Sequence, residues 1–90
     1  MENKVLVTLY VPHLDMKYDM YIPVNKRIHV IIDLMKKALF ELSEGIFDVN
    51  NKYELYNYDN GEAYNVNDLV RDTNIRNNSK ILIVWNYFFK

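Results

Sequence analysis

The amino-acid sequence predicts an α+β chain: a mixed sheet of four to five strands with one helix packed across one of its faces. Three observations carry that reading. Residues 4 to 12 and 17 to 24 each set an apolar row on one side with period two, as half-buried strands do. From Ile28 the apolar spacing becomes that of a helix. Near the end, "KILIVW" is apolar on both sides of a strand, which suits a central position contacted on both faces.

In chain order, "KVLVTLYVP" places Val5, Val7, Leu9 and Val11 on one side of a first strand and Leu6, Thr8 and Tyr10 on the other. After the short "HLD", "KYDMYIPV" returns with Tyr18, Met20 and Ile22 on one side and Asp19 and Tyr21 on the other, so the two strands form a hairpin. Pro23 has no N–H to donate and closes the ladder. Asn25 is the expected N-cap of a helix from about Lys26 to Leu42, whose core stripe is Ile28, Ile31, Ile32, Met35, Leu39 and Leu42. Val30 and Leu34, at the margin of the stripe, are expected to be partly buried, and Gly45 to take a left-handed position at the helix end.

"IFDVNNK" reads as a connection and "YELYNY" as a third strand with Leu55 toward the core. Asn60-Gly61 then supplies a turn into a short returning strand at residues 62 to 64. "NDLVRDTNIRNNSK" is mostly loop, anchored by Leu69 and Ile75, and the last strand follows. A right-handed crossover through the helix lets the first and last strands pair in parallel at the centre of the sheet.

Length and composition narrow the function. The 90 residues are expected to form one domain, residues 1 to 90, ending in an aromatic extension at 86 to 90. The formal net charge of -1 lacks the basic footprint of a phosphate-binding surface, so no nucleic acid is expected as partner. With no cysteine, disulfides, thiolate nucleophiles and Cys-ligated metals are excluded. A membrane span needs about 18 or more apolar residues. The closing run "KILIVWNYFFK" is shorter and is broken by Asn86, so no membrane insertion is expected. The N-terminus shows no signal-peptide pattern, and a cytoplasmic location is the expectation.

Candidates for catalysis are weak. His13 and His29 have no second ligand at a metal spacing and read as surface histidines. Glu41, Glu44, Asp68 and Asp72 stand beside no nucleophile, and "DNGEAYN" lacks the glycine spacing and the lysine of a phosphate cradle. The expectation is a protein that is not an enzyme and takes no cofactor or metal. What remains is surface. If Val5, Val7, Leu9, Tyr18, Met20, Ile22, Leu55, Ile81 and Ile83 point inward, period two sends Leu6, Tyr10, Tyr56, Leu82 and Val84 to the face without a helix. Such an apolar and aromatic patch is expected to contact a protein partner; the alternatives are a homodimer through this face and plain exposure. Trp85 is expected to keep the core-facing register. Tyr87, Phe88 and Phe89 are expected to be ordered, because burying a large ring is worth about 1.5–3 kcal/mol. Phe88 and Phe89 complete the set of candidate contact residues.

Beyond the element order, specific residues resemble the ubiquitin-like β-grasp. Ile22, Ile28, Ile31 and Met35 match its pattern of a second-strand apolar residue followed by helix core positions, and Leu69, Ile75, Ile81 and Ile83 match its closing signature. Within that fold, "YDMYIPVNKRIHVIIDLM" and "GIFDVN" are similar to the YukD/EsaB family of small bacterial ubiquitin-like proteins. The resemblance implies a cytosolic, non-enzymatic accessory component of type VII secretion, and a membrane-bound secretion ATPase or pseudokinase as partner. It also implies that Val84 lies where ubiquitin is read. A ubiquitin-like modifier or sulfur carrier acting through its C-terminus is the alternative. That chemistry uses a terminal Gly-Gly, whereas this chain ends "NYFFK" and has only Gly45 and Gly61.

Overall fold

The computed structural model describes residues 3 to 86. Its elements are β1 (Lys4–Val11), β2 (Met16–Pro23), α1 (Ile28–Leu42), β3 (Tyr53–Asn57) and β4 (Ser79–Trp85), with short 3-10 turns at Pro12–Leu14 and Val70–Asp72. The sheet order is β2-β1-β4-β3. β1 and β4 run parallel at its centre, while the β1–β2 and β3–β4 pairs are antiparallel. This is the expected mixed sheet with one helix.

The expected fifth strand is reduced to one bridge, Tyr56 to Ala63, so the sheet has four strands. Side chains take over the donors that a ladder would use. Asn57 Oδ1 accepts the N–H groups of Asp59 and Asn60, at 2.8 and 3.1 Å, and Asn60 Oδ1 accepts that of Glu62 at 2.9 Å.

The start of α1 differs from expectation for a physical reason, while its end at Leu42 and the left-handed Gly45 are as expected. The helix begins at Ile28 with Arg27 as an extended N-cap that makes no side-chain capping bond, its guanidinium donating instead to Asn67 O, and Asn25 lies in the turn before it. Carbonyls from a distant loop do the capping instead: Ile28 N–H donates to Asp68 O at 2.9 Å and His29 N–H to Val66 O at 3.0 Å. The same loop is tied back by Val70 N–H to Lys26 O and Arg71 N–H to Val24 O. The orphan donors of the helix start thus become long-range fold contacts.

At the other end, Gly45 N–H donates to Phe40 O and Glu44 N–H to Glu41 O, the paired bonds of a Schellman motif. The left-handed residue next to the helix cap is therefore Glu44, at φ 56, and Gly45 follows it at φ 87. The chain turns away here, which leaves Leu42 52% exposed and ends the buried stripe at Leu39. Leu34 is also exposed, while Val30 is half-buried as expected.

The sheet side chains assigned inward all belong to the core or pack against it. Fully buried Ile75 is an anchor, but Val70, rather than half-buried Leu69, is its companion, because the 3-10 turn rotates the next residue inward. Phe47 and Tyr53 extend the core beyond α1, their rings stacked 4.7 Å apart, with Tyr53 O–H donating to Asp48 O at 2.7 Å. Helix and loops cover one face of the sheet. The other face carries the candidate contact residues Leu6, Tyr10, Tyr56, Leu82 and Val84.

Candidate functional site

On the face turned away from α1, the register sets Leu6 beside Tyr21, Thr8 between Asp19 and Lys80, and Tyr10 between Lys17 and Leu82. β3 adds Tyr56 beside Leu82 and Glu54 beside Val84. Leu6, Tyr10, Tyr56, Leu82 and Val84 are all half-buried, so their side chains lie against the sheet. Thr8 Oγ1 donates to Asp19 Oδ1 at 2.7 Å. With Lys80, this pair forms a polar row that separates Leu6 and Tyr21 from the larger group around Tyr10, Leu82, Tyr56 and Val84. Phe88 and Phe89, with Tyr87, lie outside the described residues.

The larger group contains a feature that alternation did not show. Tyr58, just beyond β3, stacks on Tyr10 with ring centroids 4.5 Å apart, so two tyrosines meet across the central strand β4. Lys17 Nζ stands 5.9 Å from the Tyr10 centroid and Lys80 Nζ 5.7 Å from that of Tyr58. A cleft lined by Tyr10, Pro12, Met16, Lys17, Tyr58 and Leu82 opens at this end of the sheet. A second, lined by Pro12, His13, Val84 and Trp85, continues around the 3-10 turn. Stacked phenol rings, aliphatic floor and flanking ammonium groups give a surface suited to aromatic and polar protein contacts. The signal for it lay in the tyrosine content of "YELYNY"; the stacking depends on where the chain turns after Asn57.

His13 joins this end of the molecule to the core. Its ring lies 5.9 Å from those of Phe47 and Tyr53 and 6.4 Å from Trp85, which packs against the core as expected. Burial beside these rings lowers its pKa from 6.5. The folded chain therefore binds fewer protons at this site than the unfolded chain, so this contribution to stability falls as pH drops below 6.5 toward the folded value. The residue is still largely exposed, which damps the effect. An NMR titration of the His13 ring is expected to show a midpoint below 6.5; a midpoint at or above 6.5 would contradict the burial argument.

Tyr64 holds the loop beside β3: its O–H accepts from Asn57 Nδ2 at 3.1 Å and donates to Asn74 Oδ1 at 2.9 Å. Burial is the main reason its phenol is pushed above 10. Among the described residues, no three His, Cys, Asp or Glu side chains gather as a metal site would require. Nor is any helix among them long and apolar enough to cross a membrane.

No family model and no curated protein sequence matches the chain. Solved structures do. The ubiquitin-like domain of the type VII secretion protein EccD1 from Mycobacterium tuberculosis superposes with a TM-score of 0.71 at 17% identity, over 90% of this chain and 97% of that one. A chain of an ESX-5 inner membrane complex superposes with a TM-score of 0.72 at 13% identity, over 93% of this chain. This chain spans 21% of that longer one. A chain of a toluene 4-monooxygenase complex reaches 0.70 at 7% identity, over 92% of this chain and 99% of that one. The fold is thus the ubiquitin-like β-grasp, carried by proteins of different roles.

Proposed function

We propose that this chain is a single ubiquitin-like interaction module, without enzymatic activity, that serves a bacterial type VII secretion apparatus from the cytosolic side. Its working surface is the helix-free sheet face, centred on Tyr10, Leu82, Tyr56 and Val84, with Leu6 beyond the polar row. The observation that carries the reading is the Tyr10–Tyr58 stack over β4, flanked by Lys17 and Lys80 and bordered by two clefts. Aromatic rings with polar tips and a small cationic rim are the composition favoured at protein contacts.

The resemblance to YukD/EsaB proteins and the shared fold with EccD1 support secretion as the setting. A membrane-bound secretion ATPase or pseudokinase is the partner proposed. The alternative, conjugation or sulfur transfer, would work through a Gly-Gly pair, and the glycines in this sequence are Gly45 and Gly61. Copurification of the tagged chain from a host with type VII secretion tests this reading. Wild type is expected to retain the secretion ATPase or pseudokinase. Val84→Asp, which sets a carboxylate opposite Glu54 in the adjacent strand, and Tyr10→Ala are each expected to lose about 90% of it, as removal of about 1.4 kcal/mol of binding energy would do. Folded variants that retain the same partner would exclude this face.

A further inference from the structure

The sheet has two edges, and they are finished differently. β3 is covered: Tyr64 N–H donates to Leu55 O at 2.9 Å and Asn57 N–H to Glu62 O at 2.8 Å. β2 pairs with β1 on one side, and among the described residues no strand lies on the other. The bond from Val24 N–H to Asn3 O fixes the alternation, so that Ile22, Met20 and Tyr18 direct their backbone groups to β1. The backbone groups of Lys17, Asp19 and Tyr21 point outward, away from the sheet.

This edge is self-complementary in charge and in shape. Lys17 and Asp19 are two residues apart on the helix-free side, and Met16, Tyr18 and Met20 form a half-buried apolar row on the other side. Two copies of β2 related by a two-fold axis beside Tyr18 would place Lys17 of each opposite Asp19 of the other. Lys17 and Asp19 would exchange N–H···O bonds in both directions, and Tyr18 would meet Tyr18 while Met16 met Met20. Shifting the register by one hydrogen-bonded step sets Asp19 against Asp19, and a further step sets it against Tyr21. Only the Tyr18-centred register forms both ion pairs. Asp19 is already held in place by the Thr8 hydroxyl.

We propose that β2 is the interface of a two-fold dimer, in which it pairs antiparallel with β2 of a second copy in this register and makes one continuous eight-stranded sheet from the two four-stranded ones. The ladder is short, because Asp15, at φ 53, leaves the extended conformation just before β2. The dimer is therefore weak and depends on concentration. The interface takes in Met16 and Lys17, which also line one edge of the Tyr10–Tyr58 cleft, so the two surfaces share that edge; dimerisation is read by sedimentation of the chain alone, without the partner proposed above.

Sedimentation velocity of the full chain, from low micromolar to about 1 mM, tests it. Wild type is expected to pass from monomer to dimer. Lys17→Asp and Asp19→Lys each place like charges opposite one another and are expected to dimerise at least about tenfold more weakly. An equimolar mixture of the two restores both opposite-charge pairs and is expected to dimerise as wild type does. Should a variant fail to fold, hydrogen exchange on wild type serves: the amides of Lys17 and Asp19 are expected to gain protection with concentration. A wild type that stays monomeric, variants that associate unchanged, a mixture that does not associate, or amides without added protection would each overturn the proposal. In the first case the edge is left to an extended segment of another protein.

Discussion

Phe47→Ala is expected to destabilise the chain by about 3–5 kcal/mol, a large part of the stability of a domain of this size. Phe47 is 1% exposed, stacks on Tyr53 and touches the rings that surround His13. Its removal opens a cavity that neither the sheet nor the helix end can fill, since Tyr53 is held by its bond to Asp48 and Ser43 by the Schellman turn. Urea unfolding followed through Trp85 fluorescence measures the loss. A change below about 1 kcal/mol would mean that this end of the core collapses freely around the gap.

Ser43→Ala is expected to cost about 1–3 kcal/mol although it removes a single oxygen. Ser43 is 5% exposed, and its Oγ accepts the N–H of Phe47 at 2.8 Å while donating to Phe40 O at 3.3 Å. The substitution leaves the Phe47 N–H buried without a partner. Because the gap left by Phe47→Ala lets water reach the N–H that Ser43→Ala leaves without a partner, the double variant Ser43→Ala/Phe47→Ala is expected to cost less than the sum of the single changes. Strict additivity in the same urea experiment would show that the hydroxyl and the ring act separately.

These two residues also show where sequence reading stops. "GIFDVN" offers two adjacent large apolar residues and no period to rank them; the structure leaves Ile46 62% exposed and buries Phe47. Leu69 and Val70 pose the same choice, decided by a 3-10 turn that alternation does not describe. The hairpin and the last strand were legible because period two admits only one inward set once one face is covered, and Val7, Leu9, Ile22, Ile81 and Ile83 obey it. The N-cap was not legible at Asn25, since the donors of α1 are satisfied by carbonyls about forty residues away. Alternation likewise placed Tyr10, Leu82 and Val84 on the open face but could not place Tyr58 over Tyr10.

The Tyr10–Tyr58 stack gives the open face a definite centre, at the end where Pro12, His13 and Trp85 close the sheet. β-grasp domains serve unrelated machines, and what distinguishes one from another is the chemistry displayed on the sheet. Here that chemistry is aromatic and aliphatic with a lysine on either side. A partner that recognises this face would contact β1 and β4 together, the two central strands, whose spacing is set by the core beneath them.

Site-specific photo-crosslinking in the secreting host tests that claim most directly, with a photoreactive residue placed at Val84 on the open face or at Lys37 on the exposed side of α1. A crosslinked product with the membrane-bound secretion ATPase or pseudokinase is expected from position 84 and none from position 37. The same product from position 37 alone, or from both positions equally, would contradict it.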